Sequence, residues 1–158
     1  MKWFHLAAKQ GHAKAQFNLG VSYGNGQGVA QDYQEAVKWF RSAAEQGHAK
    51  AQYYLGLSYA NRQGVTQDYQ EAVKWFRLAA KQGDATAQNS LGVRYDLGQG
   101  VTQDYVRAYM WFNIATVNRQ NDAQENRDKV AQLMTPAQIA EAQKLARDCK
   151  KSNYTNCD

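Results

Sequence analysis

Between residues 36 and 44 the apolar side chains fall at Ala36, Trp39, Phe40, Ala43 and Ala44, the i, i+3, i+4, i+7, i+8 spacing of one helical stripe. The helix that this pattern predicts, helix B of a two-helix unit, opens at Asp32. Its carboxylate accepts from the free amides of the first turn while Glu35 reaches back to complete a capping box, and Asp68 with Glu71 repeats the pair. Gly47 and Gly83 stop the two helices, because glycine enters the left-handed C-terminal position without a steric penalty. A second stripe, Ala51, Leu55 and Tyr59, predicts helix A over 49–59, with Gly56 beside Leu55 allowing two backbones to approach closely. The intervening "GNGQGV", residues 24–29, is too rich in glycine for a helix and reads as a turn anchored by Val29.

The pattern is written more than once. "GVAQDYQEAVKWFRSAA" from Gly28 returns as "GVTQDYQEAVKWFRLAA" from Gly64 and, more loosely, as "GVTQDYVRAYMWFNIAT" from Gly100. Residues 13–48 and 49–84 share 27 of 36 positions, and Trp3, Trp39, Trp75 and Trp111 lie on one 36-residue comb. Such a period marks an array of one supersecondary unit. The expected organisation is an array over 1–120, with a partial first repeat followed by repeats near 13–48, 49–84 and 85–120. Capping helices follow over 121–149, then a polar tail over 150–158. The comb decays after Trp111, where Ala123 and Gln124 still match Ala51 and Gln52 but Arg127 replaces the expected leucine. Val130, Leu133 and Met134 are read as closing one helix. "TPAQ" from Thr135 opens another, carried by Ile139, Ala142, Gln143 and Ala146 to about Cys149. That brings the expected helices to nine, and the last pair covers the stacking face that a terminal repeat would otherwise expose. At the other end the first helix, Trp3 to Lys9, lacks a capping aspartate and a helix A. The expectation is therefore a longer array, or an edge covered by self-association, with Trp3 and Leu6 exposed otherwise.

The segment "AKAQYYLGLSYANRQGVTQDYQEAVKWFRLAAKQG" resembles the Sel-1-like repeat, a relative of the tetratricopeptide repeat. The likeness rests on the Ala-Gln pair, Leu55-Gly56, Tyr59, Gly64-Val65, Asp68, Ala72, Trp75, Ala79-Ala80 and Gly83, and spans about residues 1–120. The ending "MTPAQIAEAQKLA" is similar to the closing helix of many bacterial members. The resemblance implies an all-α, right-handed superhelical solenoid of antiparallel helix pairs that serves as an adaptor for protein partners, without catalytic residues or a cofactor. One branch of the family carries a disulfide in every repeat, whereas these repeats contain no cysteine.

Charge alters this picture little. The net charge of +5 raises nucleic acid or an acidic glycan as an alternative partner. Lys38, Arg41, Lys74 and Arg77, however, recur with the repeat beside Glu35 and Glu71 and read as solvated helix flanks. No apolar run reaches membrane-spanning length, and the first residues lack a secretory apolar core.

Catalytic and metal chemistry find no constellation. His12 and His48 share a repeat position with Asp84, which fits a polar helix start, and neither HExxH nor paired-cysteine zinc spacing is present. "GNGQG" has no preceding strand and no following Lys-Ser/Thr, so it is not a phosphate loop. Asp32, Asp68 and Asp104 are a whole repeat apart and already occupied as caps. Trp39, Phe40, Trp75 and Phe76 read as core rather than as stacking platforms for bases.

Helix A positions that change between copies are free to specify a ligand, whereas constant ones are explained by packing. With the inward face inferred by analogy, the candidate partner-binding residues in a concave groove are Phe17, Val21, Tyr53, Tyr54, Leu57, Asn89 and Arg94. The alternative is that Tyr53 and Tyr54 merely cover neighbouring helices. Cys149 and Cys157, confined to one end of the chain, are read as a disulfide closing a flexible tail and hence as a mark of a periplasmic or secreted protein. Two free thiols in a cytoplasmic protein are the other reading.

Overall fold

A computed structural model describes the backbone of residues 2–157 and the side chains of residues 6–157. Among the described residues there are nine helices and no strand. They are α1 (Lys2–Lys9), α2 (Ala13–Asn25), α3 (Tyr33–Glu45), α4 (Ala49–Asn61), α5 (Tyr69–Lys81), α6 (Ala85–Leu97), α7 (Tyr105–Val117), α8 (Ala123–Ala131) and α9 (Pro136–Lys151). The chain forms two compact units, Met1–Leu78 and Ala79–Asp158, with α5 beginning in the first and ending in the second. Helices adjacent in sequence pack together in the first unit, α1 on α2, α2 on α3 and α3 on α4. In the second, α7 packs against α6, α8 and α9.

Each helix B ends in the same way. The Gly47 N–H donates to Ala44 O at 2.9 Å and the His48 N–H to Ala43 O at 3.1 Å, with Gly47 at φ +84°. This is a Schellman motif, which satisfies carbonyls that the helix leaves unpaired. Gly83 repeats it, whereas in the third copy Arg119 adopts the left-handed conformation, φ 67°.

Helix starts differ from the expected reciprocal box. Asp32 Oδ1 accepts from the Gln34 and Glu35 amides at 2.9 and 3.0 Å, and Asp68 Oδ1 does the same for Gln70 and Glu71. Glu35 and Glu71 do not reach back. The Asp32 N–H already donates to Tyr23 O at 2.9 Å and the Asp68 N–H to Tyr59 O at 3.1 Å, which ties helix A to the next helix B. The freed glutamates pair with Lys38 and Lys74 one turn on. The complete box occurs at Thr135, where Oγ1 accepts from the Gln138 N–H at 3.2 Å and Gln138 Oε1 from the Thr135 N–H at 2.8 Å.

Packing bears out the close backbone approach expected at Gly56, where a Cβ would lie 3.2 Å from the Ala72 carbonyl oxygen, adds a ring to it, and revises two further expectations. Gly20, Gly56 and Gly92 seat a ring: a Cβ at these positions would lie 2.6, 2.7 and 2.6 Å from the nearest ring carbon of Phe40, Phe76 and Phe112. Of the stripe aromatics, Phe40 and Phe76 are buried but Trp39 and Trp75, at the edge of the stripe, only half-buried. Trp39 packs on the cluster of Ala8, Ala15 and Leu19, and Trp111 is buried in α7. Arg41 is half-buried rather than a solvated flank, and its Nη2 donates to the Tyr59 hydroxyl at 2.5 Å.

The Gln of the Ala-Gln pair is a structural tie. Gln16, Gln52 and Gln88 are buried, and their Nε2 atoms donate to Ala8 O, Ala44 O and Ala80 O at 3.2, 3.1 and 3.2 Å. Each thereby fixes helix A to the end of the preceding helix B. At the C-terminus α8 stops at Ala131, before Leu133 and Met134. Leu133 is exposed, so Val130 alone of the expected trio is buried. On α9 the buried residues are Ala142, Ala146 and Cys149, and Gln143 is exposed. Leu6 is exposed, and the side chain of Trp3 lies outside the described residues.

Candidate functional site

The candidate residues of the first unit come together on the face shared by α2 and α4. Phe17, on α2, stacks on the His48 ring with centroids 4.9 Å apart and meets Tyr54 edge-on at 5.6 Å. Tyr54, on α4, lies 5.3 Å from Phe40 and 5.5 Å from Tyr53, and Tyr53 lies 6.0 Å from Phe76. A continuous aromatic run therefore crosses the two helices, held from beneath by the rings that Gly20 and Gly56 seat. Such tilted and edge-on arrangements match the quadrupoles of the rings.

Beside this run lies a cleft of about 180 Å³, walled by Val21, Tyr33, Tyr54, Leu57, Ser58 and Gln63, with Ala36 and Phe40 among its lining. Val21, Tyr54 and Leu57 thus share one concavity, and Phe17 and Tyr53 border it through Tyr54. Tyr54 is 38% exposed and Tyr33 40%, so both rings keep a free face while their other contacts fix their positions. The Tyr33 hydroxyl accepts from Gln31 Nε2 at 3.1 Å, and the same amide donates to Gly24 O at 2.7 Å.

Asn89 and Arg94 do not join this site. They belong to α6 in the second unit, where Asn89 Oδ1 accepts from Asn126 Nδ2 of α8 at 3.1 Å and Arg94 is half-buried. Tyr33, Phe40 and Gln63 were not among the candidates. Tyr33 and Phe40 occupy positions constant between copies, which repeat comparison assigns wholly to packing. Their repetition at Tyr69 and Phe76 hid the part that tertiary contact gives them.

His48 is the titratable group at the edge of the run. Its Nδ1 accepts from the Ala51 N–H at 3.2 Å, as Asp84 Oδ1 does from the Ala87 N–H at 2.8 Å, so both cap helix starts. Burial pushes the imidazole below the ordinary histidine range, and Lys50 adds to this. Among the described residues no group of His, Cys, Asp or Glu is arranged to hold a metal ion, and no helix is long and apolar enough to cross a membrane. The site offers apolar and aromatic surface with a few hydroxyls and amides.

The other candidate pair is bonded: Cys149 and Cys157 form a disulfide with Cα atoms 4.6 Å apart. The tail it closes is not flexible as expected. The Tyr154 N–H donates to Cys149 O at 2.9 Å and Ser152 Oγ to the same carbonyl at 2.8 Å. Asn118 Nδ2 donates to both Gln88 Oε1 and the Tyr154 hydroxyl, which holds the tail against the third repeat.

No curated protein matches this chain. Among solved structures, a Sel1 repeat protein from Oxalobacter formigenes is 36% identical with a TM-score of 0.72, covering 80% of this chain and 95% of that one. A protective antigen of uropathogenic Escherichia coli that displays an SLR fold is 30% identical with a TM-score of 0.74. The match covers 97% of this chain but 42% of the antigen, so this chain spans less than half of its length. Cysteine-rich protein B of Helicobacter pylori, 22% identical over 78% of this chain and 89% of that one, has a TM-score of 0.61 and shares the fold. The Sel1 repeat profile matches residues 1–12, 13–48, 49–84 and 85–116. Its matched segments cover most of the chain and keep the 36-residue register of the helix pairs; the chain belongs to the Sel1 repeat family.

Proposed function

We propose that this protein is an interaction scaffold whose first unit binds an extended segment of a partner protein, anchored by an apolar side chain in the α2/α4 cleft. Sel1 repeat proteins are in general protein-interaction scaffolds, and their fold is typically non-catalytic. The observation that carries the finer reading is the cleft itself: two exposed, positioned tyrosines flank about 180 Å³ of mainly apolar space. That is smaller than the roughly 300–1,000 Å³ of sites that enclose whole small ligands, so it suits one anchor side chain of a longer partner. Aromatic residues held rigidly beside a pocket supply binding area at low entropic cost.

The test is selection of binding peptides from a random library, followed by titration against Tyr54→Ala and Leu57→Ala. Each variant should weaken binding at least tenfold while its circular dichroism remains that of the folded protein, and affinity should vary little with salt. Undiminished binding by both variants would remove the cleft from the proposal. A steep loss of affinity with salt would instead favour the basic-surface reading, because counterion release governs nucleic-acid binding.

The disulfide supports an oxidising compartment, periplasmic or secreted, since such bonds are rare in the cytosol. Thiol titration of the denatured, unreduced protein from its native source should find no free thiol. Two free thiols would place it in the cytoplasm.

A further inference from the structure

Taking the α2/α4 cleft as the binding site, we infer that its occupant is an acidic segment of a partner protein, with an apolar side chain in the cleft and an aspartate or glutamate roughly three residues away over Lys14 and Lys50. No charged side chain lines the cleft itself, so the anchor is uncharged and the acid lies beyond it.

The two helices that form this face carry charge of one sign. Lys14 is the sole charged residue of α2 and Lys50 of α4, whereas α3 and α5 set Lys38 and Lys74 against Glu35 and Glu71. Lys14 and Lys50 are exposed, and among the described residues neither enters an ion pair, with Glu45 at the end of α3 or with any other acid. Each continues the surface that holds the cleft. Lys14, Phe17 and Val21 stand at i, i+3 and i+7 of α2, and Lys50, Tyr54 and Leu57 at i, i+4 and i+7 of α4. The repeat does not require a lysine here, since the third copy has Thr86.

Local energetics oppose this placement. A cation in the first turn of a helix works against the macrodipole. His48 is held below its ordinary range by burial first and then by Lys50 and Lys14, so both ammonium groups act on the one ring that Phe17 stacks on. Like charges gathered at a cost to local stability mark a place where function overrides folding, and a carboxylate set across them offsets both penalties. Lys50 and Leu57 are about 10 Å apart along the axis of α4, which an extended chain spans in about three residues. One segment therefore reaches the cleft and the lysines together.

Synthetic dodecapeptides built on glycine and serine test the charge. Each carries one leucine, flanked three residues away on both sides by aspartate, by lysine or by serine, so that either chain direction is sampled. In calorimetric titration at low salt the aspartate peptide should bind at least about fivefold more tightly than the lysine peptide, with the serine peptide between them. Lys14→Glu/Lys50→Glu, at two exposed positions, should leave the circular dichroism unchanged and reverse that order. Added salt should narrow the difference only modestly, because two contacts are screened rather than a whole phosphate backbone. Equal binding of the peptides, or an order unchanged in the double variant, overturns the acidic occupant and leaves the cleft as the site. Aspartate binding undiminished in Tyr54→Ala would separate the lysines from the cleft and also overturn it. Binding by none of the peptides overturns the acidic occupant and the cleft together.

Discussion

Arg62 holds a left-handed backbone, φ 60°, at the C-terminal cap of α4, where α2 and α6 have Gly26 and Gly98. A side chain in that region is disfavoured by roughly 1–2 kcal/mol, whereas glycine enters it freely. Arg62→Gly should therefore stabilise the protein by about 1 kcal/mol, read as a higher denaturant midpoint with an unchanged slope. A lower midpoint would show that the arginine side chain contributes more than its backbone costs. His48 offers a second residue-level test. Its folded pKa is lowered, by burial first and by Lys50 and Lys14 as well, so the unfolded chain binds the proton more readily. Its contribution to stability is whole above the ordinary histidine range and is lost as pH falls through that range toward the depressed value. Protonation also removes the Nδ1 acceptor from the Ala51 N–H. In denaturation between about pH 5 and 7.5, His48→Asn should keep a cap and flatten this part of the profile. An unaltered profile would assign the slope to other groups.

Among the elements, α5 shows how far a stripe can be read. The sequence placed Trp75 and Phe76 together in the core, yet Phe76 is buried against Gly56 while Trp75 is half-buried at the edge of the α3/α4 cluster. Phe76→Ala should cost about 3–5 kcal/mol, the range for emptying an aromatic core site, and Trp75→Ala distinctly less. Equal losses in thermal or denaturant unfolding would contradict this ordering. Helical periodicity identified the face, because 3.6 residues per turn fixes which side chains align. It could not grade burial within that face, since that depends on what the neighbouring repeat places opposite. The capping boxes teach the same lesson. Asp32 and Asp68 cap as read, but the reach of Glu35 and Glu71 depends on whether the cap amide is free, and Tyr23 O and Tyr59 O had taken it.

At the scale of the whole molecule, the disulfide binds a tail that the repeats already hold through Asn118 and Tyr154. In hydrogen exchange after reduction, amides 152–157 should lose protection first while those of α2 to α7 stay near their oxidised values. Collapse of protection throughout the repeats would make the bond a global staple, contrary to a crosslink closing a loop this short. The 36-residue period, the helix pairs, the Gly stops, the Thr135 box and the family were determined by the sequence alone. Each follows from local rules: spacing, caps, and a pattern repeated nearly verbatim. The α2/α4 cleft was half legible, through Val21, Tyr54 and Leu57, because variation between copies marks positions that packing does not fix. Tertiary structure alone decided that Tyr33 and Phe40 join it, that Asn89 is tied to Asn126, and that the tail is ordered. These are contacts between residues distant in the chain. Their partners are chosen by how elements stack, which no periodicity within one element encodes.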